Sequence, residues 1–432
     1  MRCCLSVCMT VLLAATTANA QERPNVYRAS RIIPIIGAPI EDGVLVVQNG
    51  KIVAVGPRAS VREPANAVVH ELNGKTIMPG LVDTHSHIGG GDGGDGSAAL
   101  HPDVRILDAL DVRDGSIQKA QAGGITTANV MPGSGLLMSG QTAYIKLRDG
   151  RTINDLLYCR DVRRDVCGGM KMANGTNPRG AAPDPGTRAK AAALARVKFV
   201  KAQEYREKLR AAGSDATKAP TRDLELEALA EVLDGRRTVH FHSHRYDDIL
   251  TAIRLKQEFG FKLVLQHATE SWKVAREIAA AGVPASIIVI DAPGGKLETV
   301  DLRFETGSVL EKAGVTVGFH TDDGITDSRF FLRSAALGVR AGMSRDAALA
   351  AMTIAGARML DLDKRIGSLE AGKDADFIVL SGDPLSIYTH IEQTWVDGAR
   401  VFDLANPKDR DYATGAYGVR SMNASHHELE LE

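Results

Sequence analysis

The sequence predicts an α/β fold, with a parallel sheet or barrel in the middle of the chain and one small β-sandwich shared by its two ends. Between residues 80 and 360, apolar runs such as 262–266 alternate with helical stretches rich in alanine, glutamate and arginine. Such alternation is typical of parallel strands joined by helices. Short β-rich pieces fill residues 26–76, and the same texture returns at 375–380 and 393–402. The sequence therefore predicts that the two ends of the chain together form one β-sandwich.

The predicted domain boundaries follow these changes in texture. In the N-terminal part, two alternating runs flank Asn49-Gly50, a dipeptide that favours a hairpin turn. The predicted domains are an N-terminal sandwich part at 21–79, a barrel at 80–360, a C-terminal sandwich part at 361–405 and a polar tail at 406–432. A segment rich in alanine, lysine and arginine at 174–235 is longer than a minimal crossover. It predicts a lid over a site or a contact between copies in a homo-oligomer.

Composition narrows the class of protein. The chain has 432 residues, of which 44% are hydrophobic and 24% charged, which is typical of soluble globular proteins. This length allows about two or three domains, or one large barrel with an appended module. The 52 lysines and arginines are balanced by 53 aspartates and glutamates, so no overall positive charge favours nucleic acid or an anionic membrane. A small-molecule substrate is the expected partner.

The N-terminal 20 residues have the features of a cleavable secretory signal. Arg2 precedes an apolar stretch at 7–15, and the small residues Ala18-Asn19-Ala20 come before Gln21. The apolar stretch is shorter than the roughly 20 residues that span a bilayer. We therefore expect cleavage before Gln21, a periplasmic or secreted protein, and no membrane contact after cleavage.

Cysteine usage leaves one pairing open. Three of the five cysteines lie inside the predicted signal, and the mature chain keeps Cys159 and Cys167. In an oxidising compartment these two can form a disulfide, but a large core does not require one. Their spacing alone is not that of a metal site.

Histidines gather where the predicted strands of the barrel end. Seven of the twelve histidines lie at four such ends: His85, His87, His240, His242, His244, His267 and His320. His85 and His87 are two residues apart, so on a strand they point to the same face. In a parallel barrel the C-terminal ends of all strands share one face. With the nearby Asp322, these imidazoles predict a site for zinc or a similar divalent metal.

These motifs resemble the amidohydrolase superfamily, in its imidazolonepropionase-like branch. The resemblance rests on the run at 78–87, the later histidine strand ends, Thr321-Asp322, and the run at 367–380. It extends from about residue 31 to 402. It implies a distorted (β/α)8 TIM barrel with a β-sandwich built from both chain ends, in agreement with the texture above.

The resemblance also implies the ligand set. His85 and His87 would be ligands from strand 1, His242 from strand 5, His267 from strand 6 and Asp322 from strand 8. Asp322 would take the proton of the attacking water and pass it to the leaving nitrogen. His267 or His244 would stabilise the oxyanion, or hold a hydrogen-bonded supporting role.

Several residues around this set are candidates for other roles. His244, Arg245 and Tyr246 follow strand 5 and are candidate substrate contacts, whereas His240 is expected to pack or support. Lys171 lies where strand 4 should fall and is a candidate for the carboxylated lysine that bridges two metals in many superfamily members. Its alternative role is a surface or substrate-binding lysine. Lys146, expected on strand 3, is a weaker candidate for the bridge, and Asp374-Ala-Asp376 is interpreted as a structural turn.

Three functions are open at this point. The leading one is a secreted hydrolase that uses one divalent metal, zinc by preference, to cleave a carbon–nitrogen bond in a small amide or cyclic amide. The second is a dipeptidase or prolidase-like metallopeptidase with two metals bridged by carboxylated Lys171. The third is a non-catalytic binding protein that retains the fold. An intact ligand set favours the first two.

Overall fold

The computed structural model describes residues 23–91, 93–180, 184–289 and 296–417. The predicted signal and most of the polar tail lie outside these residues. Within the described ranges, no helix combines the length and the apolar character needed to cross a membrane.

The strands form one large sheet from the two chain ends and two sheets from the middle. In chain order they are β1 Asn25–Ile32, β2 Ile40–Gln48, β3 Lys51–Pro57, β4 Val68–Pro79, β5 Leu81–Ser86, β6 Ile125–Val130, β7 Met138–Gln141, β8 Ala143–Lys146, β9 Met170–Ala173, β10 Val239–Ser243, β11 Leu263–His267, β12 Ala285–Ile287, β13 Val317–Phe319, β14 Phe377–Leu380, β15 Ile391–Val396 and β16 Ala399–Asp403.

The α-helices lie mainly between the central strands. They are α1 Gly115–Ala122, α2 Ile153–Leu156, α3 Arg188–Ala212, α4 Leu224–Leu233, α5 Tyr246–Phe259, α6 Ala275–Ala280, α7 Thr306–Lys312, α8 Arg333–Arg340, α9 Arg345–Ala351, α10 Ile354–Met359 and α11 Pro407–Thr414. Short 3-10 turns occur at Ile106–Asp108, Ser271–Lys273, Leu297–Thr299 and Ser328–Phe330.

The sheet from the chain ends has seven strands in the order β16-β15-β14-β4-β1-β2-β3. β14 pairs antiparallel with β4, which joins the C-terminal strands to the N-terminal ones. Tyr27, Phe377 and Trp395 pack edge to face and stacked in its core. Strands from both chain ends therefore share one seven-stranded sheet, in agreement with a sandwich built from the two ends.

The central strands line a distorted (β/α)8 barrel of the TIM type. β9 to β13 pair in parallel, and β5 pairs in parallel with β6. The backbone N–H of Asp322, beyond β13, donates to the carbonyl oxygen of His85 in β5 at 2.9 Å and so connects the last strand to the first. With β7 and β8 counted as one bent strand, these elements occupy the eight strand positions.

The third strand position departs from the parallel arrangement that the sequence predicts. β7 pairs antiparallel with β9, and β8 pairs antiparallel with β6. Residues 131–137 join β6 to β7. They are too few for the crossover of about a dozen residues that a parallel strand needs. The chain therefore returns in the opposite direction at this position.

The segment predicted as a lid is a helix of the outer layer. α3 packs against α4 and α5, and the rings of Phe199 in α3 and Phe259 in α5 stack at 5.0 Å between centroids. Ala195, Phe199 and Ala202 are fully buried on that side. The length of the segment therefore reflects a long helix that packs on the barrel and not a lid. A homo-oligomer contact on this segment stays a prediction.

The barrel contains a disulfide bond and a buried group of ion pairs. Cys159 and Cys167 form a disulfide. Lys146 on β8 has no exposed surface, and its Nζ lies 2.7 Å from Asp374 Oδ2 and 3.0 Å from Asp376 Oδ2. Asp397 is also paired with Lys146. Lys146 thus joins the barrel to the sandwich, which agrees with a structural role for the Asp374 and Asp376 pair and removes Lys146 as a metal bridge.

Replacing Lys146 with methionine is expected to lower the free energy of unfolding by about 3 to 5 kcal/mol, because three carboxylates would be left without their buried ammonium partner. Urea unfolding followed by circular dichroism measures this loss. The exposed Lys364 offers a matched control, since Lys364→Met should leave the midpoint unchanged. A Lys146→Met protein as stable as the wild type would contradict the assigned role.

Candidate metal centre

Four imidazoles from different strands meet inside one end of the barrel. His85 lies in β5, His242 in β10, His267 at the end of β11, and His320 directly after β13. The ring centroid of His267 is 4.4 Å from that of His242, 4.7 Å from that of His85 and 4.9 Å from that of His320. All four are buried. This convergence is the one that the strand-end pattern predicts.

Asp322 closes the cluster on one side. Its Oδ1 lies 2.9 Å from His87 Nε2 and 3.4 Å from His85 Nε2. Burial alone would raise the pKa of this carboxyl, but its interactions with His87, His320 and Lys171 outweigh burial and lower the pKa to about 2. Asp322 has a φ of +48°, a left-handed backbone conformation that turns its side chain toward His85 and His87.

The cluster presents ring nitrogens that the protein does not satisfy. His85 Nδ1, His267 Nε2 and both ring nitrogens of His242 are buried and have no hydrogen-bond partner in the described part of the chain. Burial also lowers the pKa of all three imidazoles well below the ordinary value, so they are neutral. Neutral imidazole is the form that binds metals, and buried polar atoms without partners are costly. These residues fit a divalent metal.

Supporting hydrogen bonds fix the orientation of the rings. His87 Nδ1 lies 2.8 Å from the carbonyl oxygen of Met131, which assigns the ring proton to Nδ1 and leaves Nε2 toward Asp322. His320 Nδ1 is 2.8 Å from Ser286 Oγ, and its Nε2 is 3.2 Å from His267 Nδ1. Such outer contacts hold metal-binding histidines in one tautomer and position.

Lys171 lies within this cluster. It is on β9, the fourth strand position, and has no exposed surface. Its Nζ is 3.1 Å from His85 Nε2 and 3.1 Å from Met131 Sδ. Burial lowers the pKa of Lys171 from 10.5 to about 7. Carboxylation by CO2 requires a neutral amine, so the environment favours that chemistry and excludes the surface role that the sequence left open.

His240 and His244, the other two histidines of the run that contains β10, differ in their hydrogen-bond partners. Both ring nitrogens of His240 have partners, Tyr144 Oη at 2.9 Å and Gln266 Nε2 at 3.1 Å, so this residue packs and supports as expected. His244 Nδ1 is 2.8 Å from Thr269 Oγ1, but its buried Nε2 has no partner among the described residues. His244 therefore lines the site with a free ring nitrogen.

The other two predicted substrate contacts have partners away from the imidazole cluster. Arg245 forms an ion pair with Asp247 at 2.9 Å, and its side chain is 42% exposed. The Tyr246 ring lies below Lys273 Nζ, 5.8 Å from the centroid. Their position at the first turn of α5 directs both side chains toward that helix and its neighbours. A substrate contact by Arg245 or Tyr246 stays a prediction.

Two residues of the site have no role in the sequence-based ligand set. His320 lies two residues before Asp322, and its place in the same strand-end run is the signal that identifies it. Glu298 has no recognisable motif around it. Only the folded chain brings Glu298 close to His242 and His244, with one ligand atom of each residue within 4.8 Å of the others.

A barrel with imidazoles and a carboxylate gathered at the C-terminal ends of its strands defines a class, the metal-dependent hydrolases built on a TIM barrel. The family model described as "Amidohydrolase family" matches residues 76–402. The chain belongs to the amidohydrolase family. It is a hydrolase that acts on carbon–nitrogen bonds.

Individual relatives agree with this assignment. The crystal structure of an amidohydrolase from Thermotoga maritima is 34% identical, with a TM-score of 0.80, and the match covers 88% of this chain and 99% of that one. An imidazolonepropionase from Deinococcus radiodurans is 28% identical, over 79% of this chain and 86% of that protein. The amidohydrolase tasK of Hapsidospora irregularis is 29% identical over 84% of this chain. The match spans only 40% of the length of tasK.

Proposed function

We propose that this protein is a secreted enzyme that hydrolyses the amide or cyclic amide bond of a small molecule with a divalent metal, zinc by preference. The ligands are His85, His87, His242, His267 and Asp322. One observation carries the proposal. Buried, neutral imidazole nitrogens that have no partner among the described residues converge next to an ionised carboxylate. No nucleic acid or membrane is needed for this activity.

A divalent metal, when bound, lowers the pKa of a water molecule and polarises the carbonyl of the substrate. Asp322 accepts the proton of the attacking water, because its lowered pKa keeps the carboxylate ionised. The same carboxylate then delivers the proton to the leaving nitrogen. Asp322 Oδ1 lies 2.9 Å from His87 Nε2, so the carboxylate is positioned beside the proposed ligands for both transfers.

His244 is the better of the two candidates for stabilising the oxyanion. Both residues have a buried Nε2 without a partner among the described residues, but that of His267 belongs to the proposed metal ligands, whereas that of His244 does not. The hydroxyl of Thr269 can accept from Nδ1 or donate to it, so His244 can present a donor at Nε2. A hydrogen bond aimed at developing negative charge supports the transition state more than the ground state. His267 keeps its role as a metal ligand.

A second candidate is a dipeptidase or prolidase-like enzyme with two metals. The observation that favours it is Lys171, a fully buried amine 3.1 Å from His85 Nε2 with a pKa lowered to about 7. If this amine is carboxylated, its two oxygens can each bind one metal. The two candidates share Asp322 and differ in metal number.

The periplasmic or secreted location is part of the same proposal. The apolar N-terminal stretch and its small-residue ending support it. The pairing of Cys159 with Cys167 supports it independently, because disulfides persist mainly in oxidising compartments.

Removal of the metal tests the proposal directly. Purified protein is screened against small amides, cyclic amides and dipeptides, before and after dialysis against a chelator. We expect hydrolysis that falls at least about 100-fold on chelation and returns when zinc is added back. Dialysis without chelator is the control. Hydrolysis that persists in fully metal-free protein, or protein that binds no divalent metal, would contradict the proposal.

A further inference from the structure

Glu298 places a buried carboxylate in the wall of the site. It lies in the 3-10 turn Leu297–Thr299, and its side chain is only 1% exposed. Its Oε1 has no hydrogen-bond partner in the described ranges. An unpaired carboxylate oxygen in a buried position is costly unless a ligand satisfies it.

The second oxygen of Glu298 is held firmly. Oε2 accepts a hydrogen bond from the backbone N–H of Thr176 at 2.9 Å. Arg188 Nη2 lies 3.6 Å from the same oxygen, and Arg188 Nε lies 2.8 Å from Asp248 Oδ2. A Cβ at Gly175 would lie 2.7 Å from Glu298 Oε2, so only glycine allows this approach. The packing therefore fixes the carboxylate and leaves Oε1 free.

Glu298 lies beside two histidines of the site. One ligand atom each from Glu298, His242 and His244 lie within 4.8 Å of one another. His242 in turn contacts the His267 ring, with 4.4 Å between centroids. Glu298 is therefore next to a proposed metal ligand and next to His244, whose Nε2 has no partner among the described residues.

A cationic nitrogen suits this arrangement better than a further metal ion. Only Oε1 of Glu298 is free, because Oε2 accepts from the backbone, and one shared carboxylate compensates a single positive charge better than a divalent one. An ammonium or guanidinium group carries one charge and several N–H donors. One donor satisfies Oε1, and others can reach an acceptor on the substrate itself or solvent.

We propose that Glu298 determines substrate specificity by binding a cationic nitrogen of the substrate next to the bond that is cleaved. This inference rests on the proposed function, because it assumes that the imidazole cluster is the hydrolytic site. It names the substrate class as amides that carry an ammonium or guanidinium group near the scissile bond.

The test compares substrates that differ by one ammonium group. Nα-acetyl-lysine is compared with Nα-acetyl-norleucine to test a cation on the amine side of the amide. Glycyl-norleucine is compared with Nα-acetyl-norleucine to test a cation on the acyl side. We expect the metal-loaded wild type to favour the cationic member of one pair by about 10- to 100-fold in kcat/KM, and Glu298→Gln to remove that preference. Glu298→Asp, which keeps the charge, should retain part of it.

A binding measurement makes the inference independent of turnover. Calorimetric titration of the holoenzyme with the product pairs, lysine against norleucine and glycine against acetate, should show the same preference and the same loss in Glu298→Gln. Glu305→Gln, at an exposed position, is the matched control. If neither pair is hydrolysed but the binding preference is found, cation binding by Glu298 stands, and hydrolysis of these amides as the proposed function fails.

Three results would overturn the inference. Equal affinity and equal kcat/KM for both members of each pair would do so, as would a preference that survives in Glu298→Gln. A loss of one metal per chain in Glu298→Gln without a change in preference would make Glu298 a metal ligand instead. Circular dichroism and unchanged metal content confirm that the variants are folded and loaded before they are compared.

Discussion

An Asp322→Asn enzyme is expected to hydrolyse its substrate about 10³-fold more slowly in kcat, within the range for the loss of a positioned acid–base group. The asparagine amide keeps an oxygen near His85 and His87, but it cannot accept the proton of water or deliver one to the leaving nitrogen. The measurement is steady-state kinetics on a substrate found in the amide screen, with elemental analysis of the same preparation. We expect the metal content to change less than the rate.

The comparison with a matched aspartate separates chemistry from charge. Asp346 is exposed at the start of α9, so Asp346→Asn removes the same charge far from the site and should leave kcat unchanged. If Asp322→Asn retained more than about a tenth of the wild-type kcat with full metal content, another group would have to carry the proton. A loss of all metal would show instead that Asp322 acts mainly as a ligand.

The strand-end histidines could be predicted from the sequence because their signal is local. His85 and His87 are two apart on one strand, and the fold places the C-terminal ends of parallel strands on one face. Lys171 was identified by its place in an apolar run and lies on the fourth strand position. Its burial, and with it the lowered pKa, could be known only from the packing around it.

The features that the sequence did not predict depend on contacts between distant segments. Glu298 comes close to His244 and to the backbone of Thr176 only in the folded chain, and no local pattern marks those contacts. The reversed direction of the third strand follows from the short connection between β6 and β7. It becomes visible only in the antiparallel pairing of β8 with β6 and of β7 with β9. The same applies to Lys146, whose three carboxylate partners come from the other end of the chain.

Substitution of Lys171 by alanine should distinguish one metal from two. In a bridged site, the carboxylated lysine supplies one oxygen to each ion, so its loss is expected to lower metal content from about two per chain to about one or fewer and to reduce kcat about 100-fold or more. Elemental analysis of wild type and variant, both expressed with zinc and bicarbonate, measures the first effect. Lys171→Arg is the control for charge, because a guanidinium cannot take up CO2.

A small carboxylic acid provides the decisive arm of this experiment. Removal of the buried side chain leaves a cavity beside His85, and propionate can place a carboxylate where the carboxylated lysine would lie. In a two-metal site, propionate should restore part of the metal content and activity of Lys171→Ala but not those of Lys171→Arg, whose side chain fills the space. A wild-type ratio near one that Lys171→Ala leaves unchanged would contradict the bridge. That result would favour a single metal, and the search for substrates would then begin with cyclic amides rather than dipeptides.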